Sequence, residues 1–333
     1  MSNKKIGLTV GKFAPLHKGH QYMIETALAE MDEVIVFIYE ADETEIPLSV
    51  RSRWIKELYP EAEVYEAWDG PQQIGDTAEI RQTHESYIIN RLKGKRVTHF
   101  YSSEFYGEHM SEALGAVNRQ IDPKRTRIPV SATMIRENPY AYREYLEPLV
   151  YKDMITKVVF LGAPSTGKST LTAELARKFN TVFMPEYGRE YWEKHQINRR
   201  LEPKQLLEIA EGHIERENSL LKEANKYLFI DTNAITTYMF ALDYHGYVLS
   251  ELEMLAIKAS SRYDLFFLCC DDMPYDDTWD RSGEVKRHVF QKKIIADLKE
   301  RRIPYMELRG NLEERVETVE RVLKRYKKWF FYL

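Results

Sequence analysis

The chain alternates between short runs of apolar residues and longer stretches in which apolar positions recur every three or four residues. The run KIGLTV (5–10) leads into a glycine-containing loop and then into the helical pattern QYMIETALAEM. The run KVVFLG (157–162) leads in the same way into APSTGKS and then TLTAELARKF. A strand, a glycine loop and a helix in this order open an α/β domain that binds its ligand at the carboxyl end of the strand. Two such openings predict two domains.

Each half continues with further strands separated by helical patterns. The predicted strands lie at 33–39, 62–68, 97–103 and 127–132 in the first half, and at 181–185, 226–231, 263–270 and 303–308 in the second. This alternation is typical of parallel sheets covered by helices, so we expect an α/β fold in both halves. Pro139 and Pro148 interrupt the segment 137–155, and we place the boundary in its second half, which gives domains 1–150 and 151–333.

Composition and charge narrow the class of protein. A chain of 333 residues with 44% hydrophobic residues can fill two cores. The 48 Lys and Arg residues nearly balance 52 Asp and Glu, and a net charge of −4 argues against binding nucleic acid or an anionic membrane through bulk charge. The start, MSNKKIGLTV, has no signal-peptide pattern, and no run approaches the roughly 20 apolar residues of a membrane span. We therefore expect a cytoplasmic protein without membrane insertion.

The two cysteines, Cys269 and Cys270, are adjacent in LFFLCC. This spacing supports neither a disulfide framework nor a metal site. We interpret them as two small apolar residues at the end of a buried strand.

The clearest motif in the second half is a phosphate-binding loop, GAPSTGKST (162–170). Its glycines allow backbone N–H groups to turn around phosphate oxygens, and the following helix adds its positive N-terminal end. In such loops the lysine, here Lys168, reaches the β and γ phosphates of ATP, and the hydroxyl of Ser169 binds Mg²⁺. The residues predicted to bind ATP here are Gly162, Ser165, Thr166, Gly167, Lys168, Ser169 and Thr170.

Other motifs favour a small-molecule kinase over a switch GTPase. The guanine-binding Asn-Lys-x-Asp pattern is absent, because NKYL (225–228) lacks the acid, and DYHG (243–246) lies within a helical pattern. Asp231 ends an apolar strand, where it could hold Mg²⁺, polarise the acceptor or cap the next helix. Glu186 follows the second strand and could accept the proton of an attacking hydroxyl, and Arg189 could contact the acceptor or form a surface ion pair.

The segment DDMPYDDTWDRSGEVKRHVF (271–290) carries Arg281 and Arg287 after a predicted strand. Small-molecule kinases commonly close an arginine-bearing lid over the phosphoryl group, where positive charge stabilises the transition state. We therefore include both arginines among the predicted ATP-binding residues. A solvated loop leading into a helix is the alternative interpretation of this charged run.

In the first half, His17 and His20 flank Gly19 at the start of a helical pattern. A metal site would need a third ligand, and none is evident in the sequence. A phosphate site needs only imidazole N–H donors and a helix N-terminus, so we favour binding of a nucleoside triphosphate.

Two motifs carry a family resemblance. GKFAPLHKGH (11–20) resembles the signature Gly-x-Phe-x-Pro-x-His-x-Gly-His of the nucleotidyltransferase superfamily, and VSATMIR (130–136) is similar to its second signature, Ile-Ser-Ser-Thr-x-x-Arg. Val130 and Ala132 depart from the second signature, so the hydroxyl of its second Ser is absent here. The order of the two domains resembles the bifunctional NadR-type family, a nicotinamide-nucleotide adenylyltransferase joined to a ribosylnicotinamide kinase. Further similar strings are YSSE, DPKRT, IRENPYAYREY, PEYGREY and FIDTNAITT.

The resemblance implies a Rossmann-like nucleotidyltransferase sheet followed by a P-loop kinase sheet. It implies that His17 and His20 hold the ATP phosphates, with the other ATP-binding residues of this domain being Gly11, Lys12, Phe13, Ser131, Thr133 and Arg136. In the kinase it implies that Lys168 acts on ATP, that Ser169 and Asp231 bind Mg²⁺, and that Glu186 and Asp231 share catalysis in roles left open. Some members carry a helix-turn-helix domain, but this chain begins at the first catalytic strand, so DNA regulation is not implied.

The implied function is NAD biosynthesis in two ATP-dependent steps. Nicotinamide riboside would be phosphorylated to nicotinamide mononucleotide (NMN), and NMN would be joined to AMP from ATP, giving NAD and pyrophosphate. The alternatives are a transferase acting on other nucleosides and acceptors, and a nucleotide-sensing regulator. A riboside transporter as functional partner and assembly into a homo-oligomer stay open at this stage.

Overall fold

The computed structural model describes residues 4–40, 42, 44–71, 73, 75, 77–103, 106–197, 200–274 and 284–329. The chain folds as two compact units, Met1–Tyr151 and Lys152–Lys328, called here the first and the second unit.

The first unit is built on a five-stranded parallel sheet in the order β3-β2-β1-β4-β5. Its strands are β1 (Ile6–Gly11), β2 (Glu33–Tyr39), β3 (Glu63–Ala67), β4 (His99–Ser102) and β5 (Val117–Gln120). Its helices are α1 (Lys18–Glu30), α2 (Leu48–Leu58), α3 (Ala78–Arg91), α4 (Gly107–Leu114), α5 (Ala132–Glu137), a 3₁₀ turn (Arg143–Tyr145) and α6 (Pro148–Met154), which crosses into the second unit. The strand order reverses at β1, so the crevice for a ligand lies at its carboxyl end.

The second unit contains a second five-stranded parallel sheet, in the order β10-β9-β6-β8-β7. Its strands are β6 (Thr156–Leu161), β7 (Phe183–Met184), β8 (Tyr227–Asp231), β9 (Leu265–Cys269) and β10 (Met306–Leu308). Its helices are α7 (Lys168–Lys178), α8 (Tyr187–His195), α9 (Pro203–Leu220), α10 (Ala234–His245), α11 (Ser250–Arg262), α12 (Glu284–Glu300) and α13 (Leu312–Arg325). The predicted α/β class with two parallel sheets is confirmed.

The strongest apolar runs form the central strands. In β2 six of the seven residues are buried, and every residue of β8 and of β9 is buried. Strands covered by helices on both faces need such continuous apolar runs. The rings of Phe160 in β6 and Phe267 in β9 stack with centroids 5.5 Å apart across the core of the second unit. These buried strands hold the glycine loops at fixed positions.

The predicted strand at 127–132 is wrong. Ser131 instead caps helix α5, and its hydroxyl accepts a hydrogen bond from the N–H of Met134 at 3.2 Å. Pro129 has no N–H to donate to a strand ladder, which disfavours a strand at this position. The fifth strand of the sheet is β5, whose four residues are all exposed at the sheet edge and therefore carry no apolar pattern.

Both cysteines are buried, as the sequence predicts. Cys269 is the last residue of β9, and burial raises the pKa of its thiol to about 12. Burial likewise raises the pKa of Cys270 to about 11. In α13 one face is apolar, and its residues Val316, Val319 and Leu323 are buried in the core of the second unit. Across the described part of the chain no helix is long and apolar enough to span a membrane.

Candidate active sites

The first cavity lies at the carboxyl end of β1 and has a volume of about 680 Å³. It is lined by the loop after β1, the start of α1 and the start of α5. The residues predicted to bind ATP in this half all line it, namely Gly11, Lys12, Phe13, His17, His20, Ser131, Thr133 and Arg136. Two motifs more than a hundred residues apart in sequence thus meet around one cavity.

His17 is the N-cap of helix α1. Its ring Nδ1 accepts a hydrogen bond from the backbone N–H of Gly19 at 3.1 Å. A Cβ atom at Gly19 would lie 2.9 Å from His17 Cε1, so only glycine lets the ring fold against the helix start. Because Nδ1 is an acceptor, the proton of a neutral ring is assigned to Nε2.

His17 and His20 form a stacked pair, with ring centroids 3.7 Å apart. Burial, supported by the positive charge of Arg125, lowers the pKa of His17 to about 4. Burial, followed by the charges of His17 and Arg125, holds the pKa of His20 well below its ordinary value. Both rings are therefore neutral at pH 7, and each carries a single N–H group. His20 Nδ1 is buried and has no hydrogen-bond partner among the described residues.

The opposite wall of this cavity comes from α5. Arg136 donates from Nη1 to the carbonyl oxygen of Ala14 at 2.7 Å and from Nη2 to Thr133 Oγ1 at 3.1 Å. Arg136 thus ties the loop after β1 to α5 and places a guanidinium beside the cavity.

The second cavity lies at the carboxyl end of β6 and has a volume of about 840 Å³. The predicted residues that line it are Gly162, Ser165, Thr166, Gly167, Lys168, Ser169, Thr170 and Glu186. Gly162 and Gly167 have φ angles of 145° and 78°, in the region that favours glycine. A Cβ atom at Gly162 would lie 2.6 Å from the carbonyl oxygen of Cys269. The loop can therefore adopt its turn only with glycine at this position.

Lys168 begins helix α7 and reaches back over the loop. Its Nζ donates to the carbonyl oxygens of Gly162 and Ala163, both at 2.9 Å. The ammonium group therefore lies at the concave face of the loop, where the phosphates of a nucleotide bind in such motifs.

Asp231, the last residue of β8, is fully buried next to the loop. Its Oδ2 accepts a hydrogen bond from Ser169 Oγ at 2.5 Å, whereas its Oδ1 has no partner among the described residues. Burial, with the negative charge of Glu186 adding to it, raises the pKa of Asp231 to about 6. Glu186 lies 3.5 Å from the guanidinium of Arg189, and both side chains line the cavity. The structure thus brings Ser169, Asp231 and Glu186 together, as the sequence predicts.

Of the two predicted lid arginines, Arg287 lies in the described part of the chain. Arg281 is outside the described residues. Arg287 is buried, and its Nη2 donates to the carbonyl oxygen of Met273 at 2.8 Å. The residues of α12 that line the cavity are instead Lys286, Val289 and Phe290, because the helix turns Arg287 towards the interior.

Sequence reasoning missed the side chains that hold the phosphate loop in place. Arg315 is buried in α13, and its Nη1 donates to the carbonyl oxygen of Thr166 at 2.6 Å. Gln291 in α12 accepts from the N–H of Ala163 at 2.7 Å and donates to the carbonyl oxygen of Cys269 at 3.0 Å. Both residues are more than a hundred positions from the loop, so no local motif connects them to it. The one signal in the sequence was that Arg315, a charged residue, lies beside the apolar face of α13. The aromatic wall formed by Trp192, Phe240 and Tyr244 was also missed.

In the described ranges, no group of three or more His, Cys, Asp or Glu side chains is arranged to hold a metal ion.

Known protein families match each half of the chain. A cytidylyltransferase-like family matches residues 8–138, and an AAA domain family matches residues 157–315. These ranges contain the first and the second cavity, respectively.

Whole-chain relatives match both halves together. The trifunctional NAD biosynthesis/regulator protein NadR of Salmonella typhimurium (strain LT2) is 30% identical over 331 residues, covering 92% of this chain and 79% of that protein. The protein of the same name from Escherichia coli (strain K12) is 30% identical over 328 residues, covering 91% of this chain and 78% of that protein.

Two crystal structures of NadR proteins resemble the fold. One, in complex with NAD and AMP-PNP, has 25% sequence identity and a TM-score of 0.56, with 97% of this chain and 96% of that chain covered. Another, in complex with NR, has 26% identity and a TM-score of 0.57 over the same shares of the two chains.

Proposed function

The chain belongs to the NadR family of NAD biosynthesis proteins, and from this membership we propose that it is a bifunctional ATP-dependent transferase. The second unit phosphorylates nicotinamide riboside to NMN. The first unit transfers the adenylyl group of ATP to NMN, which gives NAD and pyrophosphate. The observation that carries this proposal is that each unit has its own phosphate-binding cavity at the carboxyl end of a central strand. One cavity is built from stacked histidines at a helix start and the other from a P-loop.

In the first unit the protein positions two phosphate groups and stabilises the charge that moves between them. An oxygen of the NMN phosphate attacks the α phosphorus of ATP, the bond from that phosphorus to the bridging oxygen breaks, and pyrophosphate leaves with the electron pair. His17 and His20 donate N–H groups to the triphosphate at the positive end of α1. Arg136, with Ser131 and Thr133, binds it from the opposite wall, while Gly11, Lys12 and Phe13 form the floor next to β1.

In the second unit the loop from Gly162 to Thr170 binds the ATP phosphates and Lys168 contacts the transferred group. Asp231 and Glu186 have different roles because their surroundings differ. Asp231 is hydrogen-bonded to Ser169 and keeps one buried oxygen without a partner among the described residues, so this pair suits Mg²⁺. Glu186 lines the cavity beside Arg189 and accepts the proton of the riboside hydroxyl. Bound Mg²⁺ would offset the negative charge of the phosphates.

A cytoplasmic location is a prediction from the sequence.

A panel of ribosides tests the substrate assignment. The protein is incubated with ATP, Mg²⁺ and each riboside in turn, and the products are identified by mass spectrometry. We expect the mononucleotide and then the dinucleotide from nicotinamide riboside. Failure to form NAD from nicotinamide riboside would overturn the proposal, and turnover of another riboside would redirect it.

Two single-site variants test the assignment of one activity to each unit. We expect Lys168→Ala to abolish riboside phosphorylation but to leave adenylyl transfer to supplied NMN, and His20→Ala to do the reverse. The control for Lys168 is Lys178→Ala, which removes a lysine from the exposed end of the same helix. His99→Ala, on β4 and outside the cavity lining, is the control for His20. A Lys168→Ala or His20→Ala variant that kept both activities would refute the assignment.

A further inference from the structure

A strained loop closes over the start of α1. It comprises residues 122–128, called here the Asp122 loop, and follows β5. Two of its non-glycine residues have left-handed backbones, Asp122 with φ 45° and Arg125 with φ 50°. Each such residue costs roughly 1 kcal/mol or more, and such strain clusters at functional sites. The loop must therefore be held by interactions that repay this cost.

The carboxylate of Asp122 supplies those interactions. It accepts hydrogen bonds from the backbone N–H groups of Thr126 at 2.9 Å, Arg127 at 3.0 Å and Ile128 at 2.9 Å. These bonds hold the pKa of Asp122 below its usual value. The other end of the loop is fixed to α1, because Arg127 lies 4.2 Å from the ring centroid of Tyr22 and donates to its hydroxyl at 2.8 Å.

This scaffold presents Arg125 to the first cavity. Arg125 lines that cavity together with His17 and His20, and its charge acts on both imidazoles. Because both histidines are neutral at pH 7, they contribute N–H groups but no positive charge. The guanidinium of Arg136 is engaged with Ala14 and Thr133 on the opposite wall. Lys12 also lines the cavity, and Arg125 adds a second cation on the side of the two histidines.

We propose that Arg125 is a further catalytic residue of the first unit, binding the β and γ phosphates that leave as pyrophosphate, and that Asp122 is its positioning residue. This inference rests on the proposed adenylyl transfer. The bond between the α phosphorus and the bridging oxygen breaks, the leaving pyrophosphate takes the electron pair, and the guanidinium offsets the charge that develops there. Arg125 exchanges no proton, and nothing is oxidised or reduced.

The test compares variants of the full chain in adenylyl transfer from ATP to supplied NMN. We expect Arg125→Met to lower kcat roughly 100- to 1000-fold, the range seen when one donor to a transition-state charge is removed. The KM for NMN stays within twofold, and riboside phosphorylation by the same protein is unchanged, which shows that the variant is folded. Arg125→Lys recovers part of kcat because it restores the charge without the planar fork. Lys124→Met is the matched control: it removes an equal charge from the adjacent residue, which does not line the cavity.

Asp122 is tested through its coupling to Arg125. We expect Asp122→Asn to lower kcat less than Arg125→Met does. The double variant should be no slower than Arg125→Met alone, because Asp122 acts through Arg125. Fully multiplicative losses would overturn the positioning role.

Further results separate failure of this inference from failure of the proposed function. If Arg125→Met keeps kcat within twofold of the parent, or if Lys124→Met loses as much, Arg125 is not catalytic. If the parent protein forms no NAD from NMN, the proposed function fails. In that case the binding of inorganic pyrophosphate, measured by calorimetry, tests whether Arg125 belongs to an anion site. Both proteins carry Lys168→Ala, and one of them also carries Arg125→Met. Binding that is at least tenfold weaker with Arg125→Met supports the anion site, and equal binding overturns it.

Discussion

Among single residues, Asp231 lowers the stability of the fold when it is charged, and the proposed kinase reaction needs that charge. Its carboxyl is buried, and burial raises its pKa to about 6, against an ordinary value of 3.8. At this carboxyl the folded state therefore binds more protons than the unfolded state between pH 4 and pH 6. The contribution of Asp231 to the free energy of unfolding falls by about 3 kcal/mol as the pH rises through this interval. The protein retains a charge that destabilises the fold, which is understandable if that charge is needed for the kinase reaction.

Replacing Asp231 by asparagine should separate the two roles. We expect Asp231→Asn to abolish riboside phosphorylation and to raise the free energy of unfolding at pH 7.5 by about 1 to 3 kcal/mol, because a buried charge is removed. The gain should shrink towards zero as the pH is lowered to 4, which urea denaturation across this range can measure. Asp243→Asn, at an exposed ion pair with Lys293, is the control and should change stability by under about 1 kcal/mol. A destabilised Asp231→Asn variant at pH 7.5 would contradict this account.

At the scale of elements, the start of α1 combines a helix cap with the proposed phosphate site. His17 caps the helix through Nδ1, Gly19 provides the space for its ring, and His20 stacks on it one turn later. All three residues belong to one motif, GKFAPLHKGH. The contacts that stabilise the start of the helix therefore also hold the two histidines in place at the cavity.

The cap should make the first unit sensitive to acid. The pKa of His17 is about 4 in the folded state and 6.5 in the unfolded chain, so at this ring the unfolded state binds more protons between these values. The contribution of His17 to the free energy of unfolding therefore rises by about 3 kcal/mol as the pH rises from 4 to 6.5. We expect His17→Asn, which keeps an acceptor at the cap, to remove that part of the pH dependence in urea denaturation. His195→Asn, at the exposed end of α8, should leave it in place.

The sequence predicts those elements and site residues whose signals are local. The run EVIVFIY gives β2 with its bounds because a doubly covered strand must be continuously apolar. The sequence does not predict the edge strand β5, because exposed residues at a sheet edge need no apolar pattern. The residues of GKFAPLHKGH and GAPSTGKST reach the cavities because these motifs follow the carboxyl ends of the central strands β1 and β6. The sequence does not predict the positions of Arg287, Lys286 and Arg315 relative to the cavity. The face of a helix that turns inward depends on packing between segments that are distant in sequence.

At the scale of the whole molecule, two successive reactions are assigned to two separately built units. The product of the second unit is the substrate of the first. A chain with one defective site therefore still makes, or still uses, the intermediate.

Two defective proteins should consequently complement each other in solution. We expect a mixture of Lys168→Ala and His20→Ala to convert nicotinamide riboside to NAD, although neither does so alone. The conversion is followed by mass spectrometry, with the wild-type protein at the same number of intact sites for comparison. A mixture that accumulates NMN without forming NAD would show that released NMN does not reach the other site.

The burial of Cys269 and Cys270 has a practical consequence for studying these reactions. Maleimide dyes react with exposed thiolates, and both native thiols are shielded and stay protonated at neutral pH. A single cysteine placed on the surface of either unit can therefore carry a fluorophore while the native pair remains in place. Such a fluorophore can report ligand binding to the unit that carries it.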